Sequence, residues 1–321
     1  MKRGYRYFID IEILVNICKI LQISLYQLQE NIVAYKTRRG GNHIEKPKLP
    51  IEITPIFDML IAHHIGDGNV VNPKRGRMPY FSYKQFDNKY RNLYISKIES
   101  VFGKLNYKNK YFDREGQTQI YFPVAVSNLL FTFYNLDVQS FKSLTARIPK
   151  EIFHKNWKHK LAFLIGIIVD EGSVDSTLIV VGMKNEEIIK DLGMLCNDLE
   201  YSYSIRKGKT GMFHLYIHSL KKFYQDYLTL LNEYPEVHLG YKGKKIEQNF
   251  KISERSIKRV PGNRKIILEM LSKEKLSVNE IAIRILMTRQ GVRYHIRKLE
   301  QQEKITRIST VEENNYIYVA V

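Results

Sequence analysis

Two acidic residues, each directly followed by a glycine, stand at the ends of two apolar segments of this chain. They are Asp67 and Glu171, which lie about a hundred residues apart, a period that indicates an internal repeat. Each segment has a small residue five positions before its acid, Ala62 in the first and Gly166 in the second. Because small residues allow two helices to pack at a short distance, we expect the segments to cross and to bring the two carboxylates together.

Two carboxylates in a poorly solvated cleft repel each other, and the C-terminal ends of two helices add negative partial charge. A divalent cation is the natural compensation, and Mg²⁺, or another such as Mn²⁺, prefers a few carboxylates together with water and phosphate oxygens. Such a site can activate water and stabilise the leaving 3′ oxygen of a phosphodiester. Asp67 and Glu171 are therefore predicted to be metal-binding catalytic acids. A glycine-terminated helix explains one such motif, whereas two matching copies favour a site.

Lysines recur at equivalent places in the two halves and could stabilise charge on a phosphate in a transition state. Lys142 and Lys242 follow the last helix predicted for each repeat, and Lys84 and Lys184 end the first predicted strand of each repeat. We assign Lys142 and Lys242 as candidate catalytic residues, and Lys84 and Lys184 as candidate nucleic-acid contacts. Ordinary surface lysines are the alternative interpretation.

The charge of the chain indicates a polyanionic partner. A net charge of +18 and a pI near 9.6 favour nucleic acid, here double-stranded DNA, although a generally basic proteome would give the same excess. The basic residues are spread along the chain, which argues against a membrane surface. Two cysteines exclude a disulfide framework and a cysteine-based zinc site. With no secretory segment and no bilayer-length apolar run, we expect a cytoplasmic location.

Hydrophobic periodicity predicts the same order of elements twice. In the first repeat it predicts a helix, a strand, a helix, a hairpin and a helix at residues 55–66, 79–86, 88–102, 105–114 with 117–123, and 124–135. In the second it predicts the same order at residues 161–169, 177–183, 185–199, 201–207 with 211–218, and 219–232. Helices and antiparallel strands in this arrangement predict an α+β fold.

The last predicted strand of each hairpin has one apolar face and one polar, aromatic face. Leu215 and Ile217 share the apolar face in the second repeat, and Ile120 does so in the first. An antiparallel sheet with one solvated side has this pattern, but the basic hairpins favour a face that binds DNA. The candidate contacts are Lys108, Lys110, Arg114, Gln117 and Gln119 in the first hairpin and Arg206, Lys207, Lys209, His214, Tyr216 and His218 in the second.

Helix-turn-helix patterns flank the two repeats. Residues 9–36 are predicted to form two helices around a turn, the second running from Leu25 to Ala34 with Ser24 as its N-cap. After residue 261, three predicted helices and a terminal hairpin indicate a winged helix-turn-helix. A solvated helix face or a dimerisation module is the alternative. The third helix would expose residue types that contact phosphates and purine edges, namely Arg289, Gln290, Arg293, Tyr294 and Arg297.

The two acidic segments resemble the motifs of single-chain LAGLIDADG homing endonucleases. They read Leu60-Ile-Ala-His-His-Ile-Gly-Asp67-Gly68 and Leu164-Ile-Gly-Ile-Ile-Val-Asp-Glu171-Gly172. The first departs from the family at His63 and His64, where apolar residues are usual. The resemblance implies a monomer with two pseudosymmetric αββαββα repeats that form a saddle-shaped sheet. It also implies metal-binding roles for Asp67 and Glu171, cleavage of both DNA strands across the minor groove, and a match of the two catalytic lysines to basic residues near the scissile phosphates.

A metal-dependent, site-specific double-strand DNA endonuclease is accordingly the leading hypothesis. WhiA-type regulators are more distantly similar, since they join a LAGLIDADG scaffold to a helix-turn-helix and do not cut DNA, so a non-cleaving transcription regulator is the alternative. Retention of both acids favours the nuclease. An RNA-splicing accessory factor, a maturase, is a third hypothesis. Four parts are expected, an N-terminal helical region with a basic linker, the first repeat, the second repeat and the winged module, at residues 1–48, 49–155, 156–255 and 260–321.

Overall fold

The computed structural model describes residues 9, 11–36, 43–48, 50–71, 79–85, 87–106, 118–175, 177–257, 262–308 and 316–321, and within them the chain has the predicted α+β fold. Its helices are α1 (Ile11–Ile20), α2 (Leu25–Asn31), α3 (Pro55–Ile65), α4 (Asn88–Phe102), α5 (Val124–Phe133), α6 (Lys150–Phe153), α7 (Trp157–Glu171), α8 (Glu186–Asp198), α9 (Leu220–Glu233), α10 (Tyr241–Ile257), α11 (Asn263–Leu271), α12 (Val278–Arg284) and α13 (Arg289–Glu300). Its strands are β1 (Ala34–Lys36), β2 (His43–Glu45), β3 (Gly68–Val71), β4 (Tyr80–Gln85), β5 (Lys104–Asn106), β6 (Thr118–Tyr121), β7 (Gly172–Val174), β8 (Ile179–Met183), β9 (Tyr203–Lys207), β10 (Phe213–Ile217), β11 (Leu276–Ser277), β12 (Ile305–Ile308) and β13 (Ile317–Ala320).

Two compact units make up the chain. The first comprises Met1–Ser173, Ile179–Ser219 and Gln225–Gly240, and the second comprises Val174–Leu178, Leu220–Tyr224 and Tyr241–Val321. None of the described helices combines the length and the apolar character that crossing a membrane requires.

Helices α3 and α7 are the most deeply buried elements of the first unit. α3 begins at Pro55, a position where the missing N–H of proline leaves no helical hydrogen bond unmade. α7 begins after Asn156, whose side chain accepts a hydrogen bond from the backbone N–H of Lys158. Every residue of α3 is buried, and so are residues 161–168 of α7. The apolar character of both helices therefore reflects burial on all sides and not one amphipathic face.

The crossing of α3 and α7 is close because it uses small residues, as predicted. A Cβ atom placed on Gly166 would lie 2.7 Å from the Cβ atom of Ala62 and 3.0 Å from the carbonyl oxygen of Met59. The glycines after the two acids also meet a requirement for space. A Cβ atom on Gly68 would lie 2.4 Å, and one on Gly172 2.6 Å, from the backbone of the helix that each glycine follows.

Each repeat has an antiparallel sheet in which corresponding strands occupy corresponding places. The strand order is β3-β4-β6 in the first repeat and β7-β8-β10-β9 in the second. Periodicity did not identify the short strands β3 and β7, because each starts at the glycine of its motif and is too short to show alternation. The αββαββα order that the resemblance implies does include a strand at this place. On β10, Leu215 and Ile217 are fully buried while the neighbouring His214 and Tyr216 are partly exposed, so the strand has the predicted faces.

The hairpin predicted for the first repeat is not what the described residues form. β5 pairs antiparallel with β2 from the N-terminal region, and Ile44 faces Leu105 in the register. Both of these side chains are buried. The predicted partner strand is β6, which pairs with β4. Pairing between segments this far apart in sequence depends on tertiary packing, which local strand signals do not contain. The rest of the predicted hairpin, residues 107–117, lies outside the described residues.

The N-terminal region contains the two predicted helices but is less helical than predicted. Ser24 precedes α2, and its hydroxyl accepts a hydrogen bond from the N–H of Gln27 at 3.1 Å, as expected for an N-cap. α2 ends at Asn31 and not at Ala34, and residues 34–36 form β1, which pairs with β2. The backbone hydrogen bonds of β1 are made with β2, a short way further along the chain, so helical periodicity alone overestimates the length of the helix.

The C-terminal residues of the second unit fold as predicted, with three helices and a hairpin. Ser277 and Glu280 form the predicted capping box at the start of α12, and the side chain of Thr288 caps α13 by accepting from the N–H of Gly291. β13 pairs with both β12 and β11. The helices and the sheet share one apolar core, which consists of Ile267, Leu271, Leu276, Ile281, Ala282, Ile285, Val292, Ile296, Leu299, Ile305 and Tyr318.

Candidate active site and nucleic-acid interface

The C-terminal ends of α3 and α7 adjoin, with Asp67 in the turn after α3 and Glu171 as the last residue of α7. The backbone N–H of Asp67 lies 3.4 Å from Oδ2 of Asp170, the residue before Glu171. A Cβ atom on Gly66, the residue before Asp67, would lie 2.7 Å from the same oxygen. Asp67 is exposed and Glu171 is partly buried. The two motif ends therefore lie side by side, with their acids at the edge of the buried helix pair.

A buried polar cluster lies directly beneath these acids, with the carboxylate of Asp170 as its centre. The side chain of Asp170 has no exposed surface. Its Oδ2 accepts a hydrogen bond from Nδ1 of His63 at 2.9 Å, and its Oδ1 accepts one from the hydroxyl of Tyr83 at 2.9 Å. Because Asp170 comes from the second repeat and both donors come from the first, the cluster joins the two repeats.

Aromatic and basic side chains complete the cluster. The rings of Tyr83 and Tyr94 stack with their centroids 3.8 Å apart. The hydroxyl of Tyr94 lies 3.2 Å from Nε2 of His64. Lys97 is only 1% exposed, and its Nζ donates to the carbonyl oxygen of Leu93 at 3.2 Å. Nε2 of His63 and Nδ1 of His64 are buried with no hydrogen-bond partner among the described residues.

Burial controls the titration of the cluster. It lowers the pKa of His63, an effect that the neighbouring Asp170 carboxylate opposes. It places the pKa of His64 well below the ordinary value, and His63 lowers it further. It lowers the pKa of Lys97 to about 8, although the negative charges of Asp170 and Glu236 oppose this shift. Both imidazoles are therefore neutral near pH 7, and the tyrosine donors, whose pKa values burial raises well above 10.0, keep their protons.

The predicted lysines differ in their surroundings. Lys142 is exposed and follows a 3₁₀ turn at Gln139–Phe141. Lys242 follows the equivalent turn in the second repeat but is only 5% exposed on α10, with its Nζ 5.8 Å from the ring centroid of Tyr241. It belongs to the second compact unit. Lys84 on β4 and Lys184 after β8 are exposed. The lysine pairs are thus equivalent in chain order, while the environments of Lys142 and Lys242 are not.

The hairpin of β9 and β10 presents a basic, aromatic surface. The guanidinium of Arg206 lies 5.5 Å from the ring centroid of Tyr216. The ring of His214 lies between two glycines, because a Cβ atom on Gly182 would be 2.9 Å from its Nδ1 and one on Gly208 would be 3.0 Å from its Nε2. Lys207, Lys209 and His218 are exposed. In the first repeat, Gln119 donates to the hydroxyl of Ser82 at 2.9 Å, while Lys108, Lys110, Arg114 and Gln117 lie outside the described residues.

Helix α13 has one buried face and one basic face. Val292, Ile296 and Leu299 point into the core of the winged module. The residues predicted to contact DNA all lie on the exposed part of the helix, and they are Arg289, Gln290, Arg293, Tyr294 and Arg297. The guanidinium of Arg289 also donates through Nε to the side-chain oxygen of Asn279 on α12, at 2.9 Å.

The oxygen donors at the adjoining helix ends fit a hard divalent cation. Asp67 and Glu171 are carboxylates at or near the surface, where water and phosphate oxygens could complete the six ligands that Mg²⁺ takes. Among the described residues, no group of three or more histidine, cysteine, aspartate or glutamate side chains is arranged to hold a metal ion. The donor set is therefore one that leaves ligand positions for a substrate.

Sequence reasoning did not identify Asp170, Tyr83, Tyr94 and Lys97 as parts of one buried cluster. The signal that could have found them is the pair His63 and His64 inside an otherwise apolar helix. Buried imidazoles require polar partners, and Asp170 is a second acid that the second motif offers, directly before Glu171.

Comparison with known proteins gives three results. No curated protein matches the sequence. Among solved structures, the chain is similar to mesophilic variants of the homing endonuclease I-DmoI at 16% identity, covering 58% of this chain and 98% of that one with a TM-score of 0.39. It is similar to the homing endonuclease I-WcaI bound to its DNA recognition sequence at 15% identity, covering 60% and 87% with a TM-score of 0.38. It is also similar to full-length DUF199/WhiA from Thermatoga maritima at 11% identity, covering 79% and 93% with a TM-score of 0.36.

The third result concerns the C-terminal module. Residues 263–306 match the protein family described as Winged helix-turn-helix DNA-binding. They contain α11, α12 and α13 and the start of the hairpin, together with most of the apolar core described above. This part of the chain is therefore a winged helix-turn-helix, the DNA-binding fold that its sequence predicted.

Proposed function

We propose that this protein is a metal-dependent endonuclease that cuts both strands of double-stranded DNA at a specific site. The observation that carries the proposal is the contact between the backbone N–H of Asp67 and the side chain of Asp170, at 3.4 Å. It supports the convergence of two acids that the LAGLIDADG-like motifs imply. Simple helix packing requires two small residues at this crossing, but it does not require an acid on each side.

In this proposal Asp67 and Glu171 hold a divalent cation against the DNA backbone. When bound, the cation activates water and stabilises the leaving 3′ oxygen of the scissile phosphodiester. Lys142, which is exposed in the first unit, is the candidate to stabilise negative charge on the phosphate, and Lys242 is its proposed counterpart. The single chain supplies both acids, so the proposed enzyme acts as a monomer.

DNA binding is distributed over the repeats and the winged module. The exposed arginines and lysines of the β9–β10 hairpin and of α13 are of the types that neutralise phosphates, and the net charge of +18 supports the same role. Tyr216, beneath the guanidinium of Arg206, offers a flat hydrogen-bonding surface on the hairpin. The repeats would select the cleaved site, and α13 would add affinity through the major groove.

A plasmid library with randomised inserts tests the proposal when it is incubated with the protein and Mg²⁺. We expect linear products whose ends map to one sequence, and we expect no such products from the Asp67→Asn/Glu171→Gln double variant. Binding of the double variant to the same DNA is the control for folding. If the wild-type protein binds DNA but gives no Mg²⁺-dependent product, the winged helix-turn-helix favours the second candidate, a transcription regulator that does not cut.

A further inference from the structure

The cluster around Asp170 is asymmetric in a way that a plain repeat would not produce. The residue directly before the motif acid is Gly66 in the first repeat and Asp170 in the second. These two residues face each other. A Cβ atom on Gly66 would lie 2.8 Å from the Cβ atom of Asp170 and 2.7 Å from its Oδ2. The absence of a side chain at position 66 therefore makes the space that the carboxylate at position 170 occupies.

The bonds of Asp170 all reach into the first repeat. Its carboxylate accepts from Nδ1 of His63, from the hydroxyl of Tyr83 and, at a longer distance, from the backbone N–H of Asp67. His63 lies on α3, Tyr83 on β4 and Asp67 on the turn between α3 and β3. Asp170 is thus bonded to the helix that leads into the turn carrying the first acid, to the turn itself, and to β4, the strand that pairs with β3.

Asp170 is not placed to bind a cation at the surface itself. Its side chain has no exposed area, and both of its oxygens are bonded to buried donors. The buried Lys97 lies close enough to interact with its charge. Burial of a carboxylate costs free energy unless donors form hydrogen bonds to it. The side chain of Asp170 therefore favours the one arrangement of the turn in which His63, Tyr83 and the N–H of Asp67 form these hydrogen bonds.

We propose that Asp170 is a positioning residue that fixes the turn bearing Asp67 against the C-terminal end of α7, which bears Glu171, so that the two acids are held at the separation a divalent cation requires. The inference rests on the proposed function, because it gives the cluster a purpose only if the acids hold a cation. The inference assigns a role to residues that the motif itself does not specify. Asp170 pairs with His63, one of the two positions at which the first motif departs from the family pattern.

The test uses the full-length protein and Tb³⁺, whose luminescence is sensitised by tyrosine and which stands in for a divalent cation. Affinity is measured by titration and confirmed by Ca²⁺ competition, for wild type, Asp170→Ala and Asp170→Asn, with thermal unfolding of each protein as the control for folding. We expect Asp170→Ala to weaken Tb³⁺ binding by about tenfold or more, the range found when outer groups that orient metal ligands are removed.

Asp170→Asn separates position from charge. Its side-chain oxygen can still accept from Tyr83 in the place of Oδ1, and its NH2 group can donate to Nδ1 of His63 in the other neutral tautomer of that ring. Only the longer contact with the N–H of Asp67 is lost, so we expect an affinity much closer to that of wild type than to that of Asp170→Ala. Weakening equal to that of Asp170→Ala would mean that the negative charge and not the position matters, and it would overturn the inference. A folded Asp170→Ala protein with wild-type affinity would also overturn it.

A double-variant cycle with Gly66→Ala keeps the test informative if Asp170→Ala loses stability. Gly66→Ala is expected to weaken Tb³⁺ binding in the wild-type background, because the added methyl group meets the carboxylate of Asp170. In the Asp170→Ala background the same change should have a smaller effect, because the overlap with Cγ and Oδ2 is gone and only the overlap with the Cβ atom of residue 170 remains. Any cost of alanine in that backbone conformation is common to both backgrounds and cancels. Equal effects in the two backgrounds would contradict the proposed contact.

Failure of the inference and failure of the proposed function give different results. If Asp67→Asn/Glu171→Gln abolishes Tb³⁺ binding and the Asp170 and Gly66 variants behave as wild type, only the positioning role is wrong. If the acid double variant binds Tb³⁺ as well as wild type, the two acids hold no cation and both proposals are overturned.

Discussion

His64 is a titratable residue held in an aromatic pocket. Its ring stacks on Phe81 with the centroids 4.0 Å apart, and its edge meets Phe122 at 5.0 Å. Its polar neighbours are Tyr94, at 3.2 Å from Nε2, and His63, whose charge would oppose its own. The packing is that of an apolar residue, so the neutral form is strongly favoured and protonation is coupled to unfolding.

We expect the protein to lose stability as the pH falls below 6.5. The pKa of His64 is well below 6.5 in the folded state, so the unfolded chain binds the proton first and its free energy falls relative to the folded state. The contribution of His64 to stability is complete above its pKa in the unfolded chain. It is lost as the pH falls towards its pKa in the folded protein, by about 1.4 kcal/mol for each pH unit per histidine. Urea unfolding at about pH 7.5 and about pH 5.5, one unit on either side of the ordinary histidine pKa, measures this change in stability.

The matched control for this prediction is the double variant His64→Phe/Tyr94→Phe. It removes the titrating ring together with its hydroxyl partner, so no buried donor is left without an acceptor. Its unfolding free energy should fall less steeply with pH than that of wild type. Identical slopes would contradict the assignment of the buried neutral state to His64.

Gly166 determines how closely the two motif helices approach. Gly166→Val should lower the free energy of unfolding by about 1–3 kcal/mol, because its side chain would overlap Ala62 and the carbonyl oxygen of Met59. Urea denaturation measures the change. Met194→Val, at a 55% exposed position of α8, introduces the same residue into a helix without the overlap and should have a much smaller effect. Equal losses would mean that helix propensity and not the crossing is responsible.

At the scale of elements, a buried ionic cluster around Asp58 joins the N-terminal half of α3 to α7, and it is distinct from the site of Asp67 and Glu171. Asp58 has no exposed surface and lies on α3. Nζ of Lys155 lies 2.9 Å from both carboxylate oxygens of Asp58. Nδ1 of His159 on α7 lies 2.7 Å from Oδ2, and the hydroxyl of Tyr134 donates to Oδ1. The cluster joins the start of α3 to the start of α7, while the acids lie at their other ends.

Asp58→Ala should destabilise the first unit strongly. It leaves Lys155 and Tyr134 without their partner in a buried site, and removal of one member of such a pair costs about 3–5 kcal/mol. Chemical denaturation measures the loss. Glu233→Ala, which breaks the exposed ion pair with Lys158, is the matched control and should change stability little. A similar effect of the two substitutions would contradict the structural role of the buried cluster.

Helix α13 should supply phosphate-binding residues to the DNA interface. Arg293→Ala and Arg297→Ala remove exposed charges, so we expect each to weaken binding without unfolding the module. Each should also reduce the slope of log affinity against log salt by about one unit for every phosphate that the protein no longer neutralises. Fluorescence anisotropy with duplex DNA at several salt concentrations measures both quantities. Lys265→Ala removes the same charge from α11, and an equal effect there would mean that only net charge matters.

Elements with long periodic patterns were the ones that could be predicted well from the sequence. α4 was predicted at its observed limits, and the starts of α12 and α13 follow from cap residues that act locally. The pairing of β5 with β2 could not be predicted, because it joins the N-terminal region to the first repeat through contacts remote in sequence. The short strands β3 and β7 have too few residues to establish a period.

At the candidate site too, residues within a motif could be predicted from the sequence, whereas contacts between residues far apart in the chain could not. The two acids and the small residues beneath them follow from motifs that can be read in order along the chain. The role of Asp170 could not be read in that way, because its partners His63 and Tyr83 lie in the other repeat. The sequence shows only that two histidines lie in an otherwise apolar helix. The fold is needed to identify the carboxylate of Asp170 as the hydrogen-bond partner of His63.

At the scale of the whole molecule, one chain contributes both acids, and its two repeats differ in the residues that surround them. Asp67 follows a glycine and Glu171 follows a buried, bonded aspartate. A protein of this kind would treat the two strands of its DNA target differently even if it cuts both. Its positive charge of +18 would also make binding steeply salt-dependent, so comparisons between variants require one fixed ionic strength.

Strand-resolved cleavage by the single variants Asp67→Asn and Glu171→Gln tests the central claim most directly. The substrate is the site selected by the wild-type protein, with each strand labelled separately, and rates are measured in Mg²⁺ under single-turnover conditions. If both acids hold one catalytic centre, each variant should bind the site as wild type does and should fail to make the double-strand break. A variant that binds and cuts both strands at the wild-type rate would contradict the claim that the two carboxylates act together.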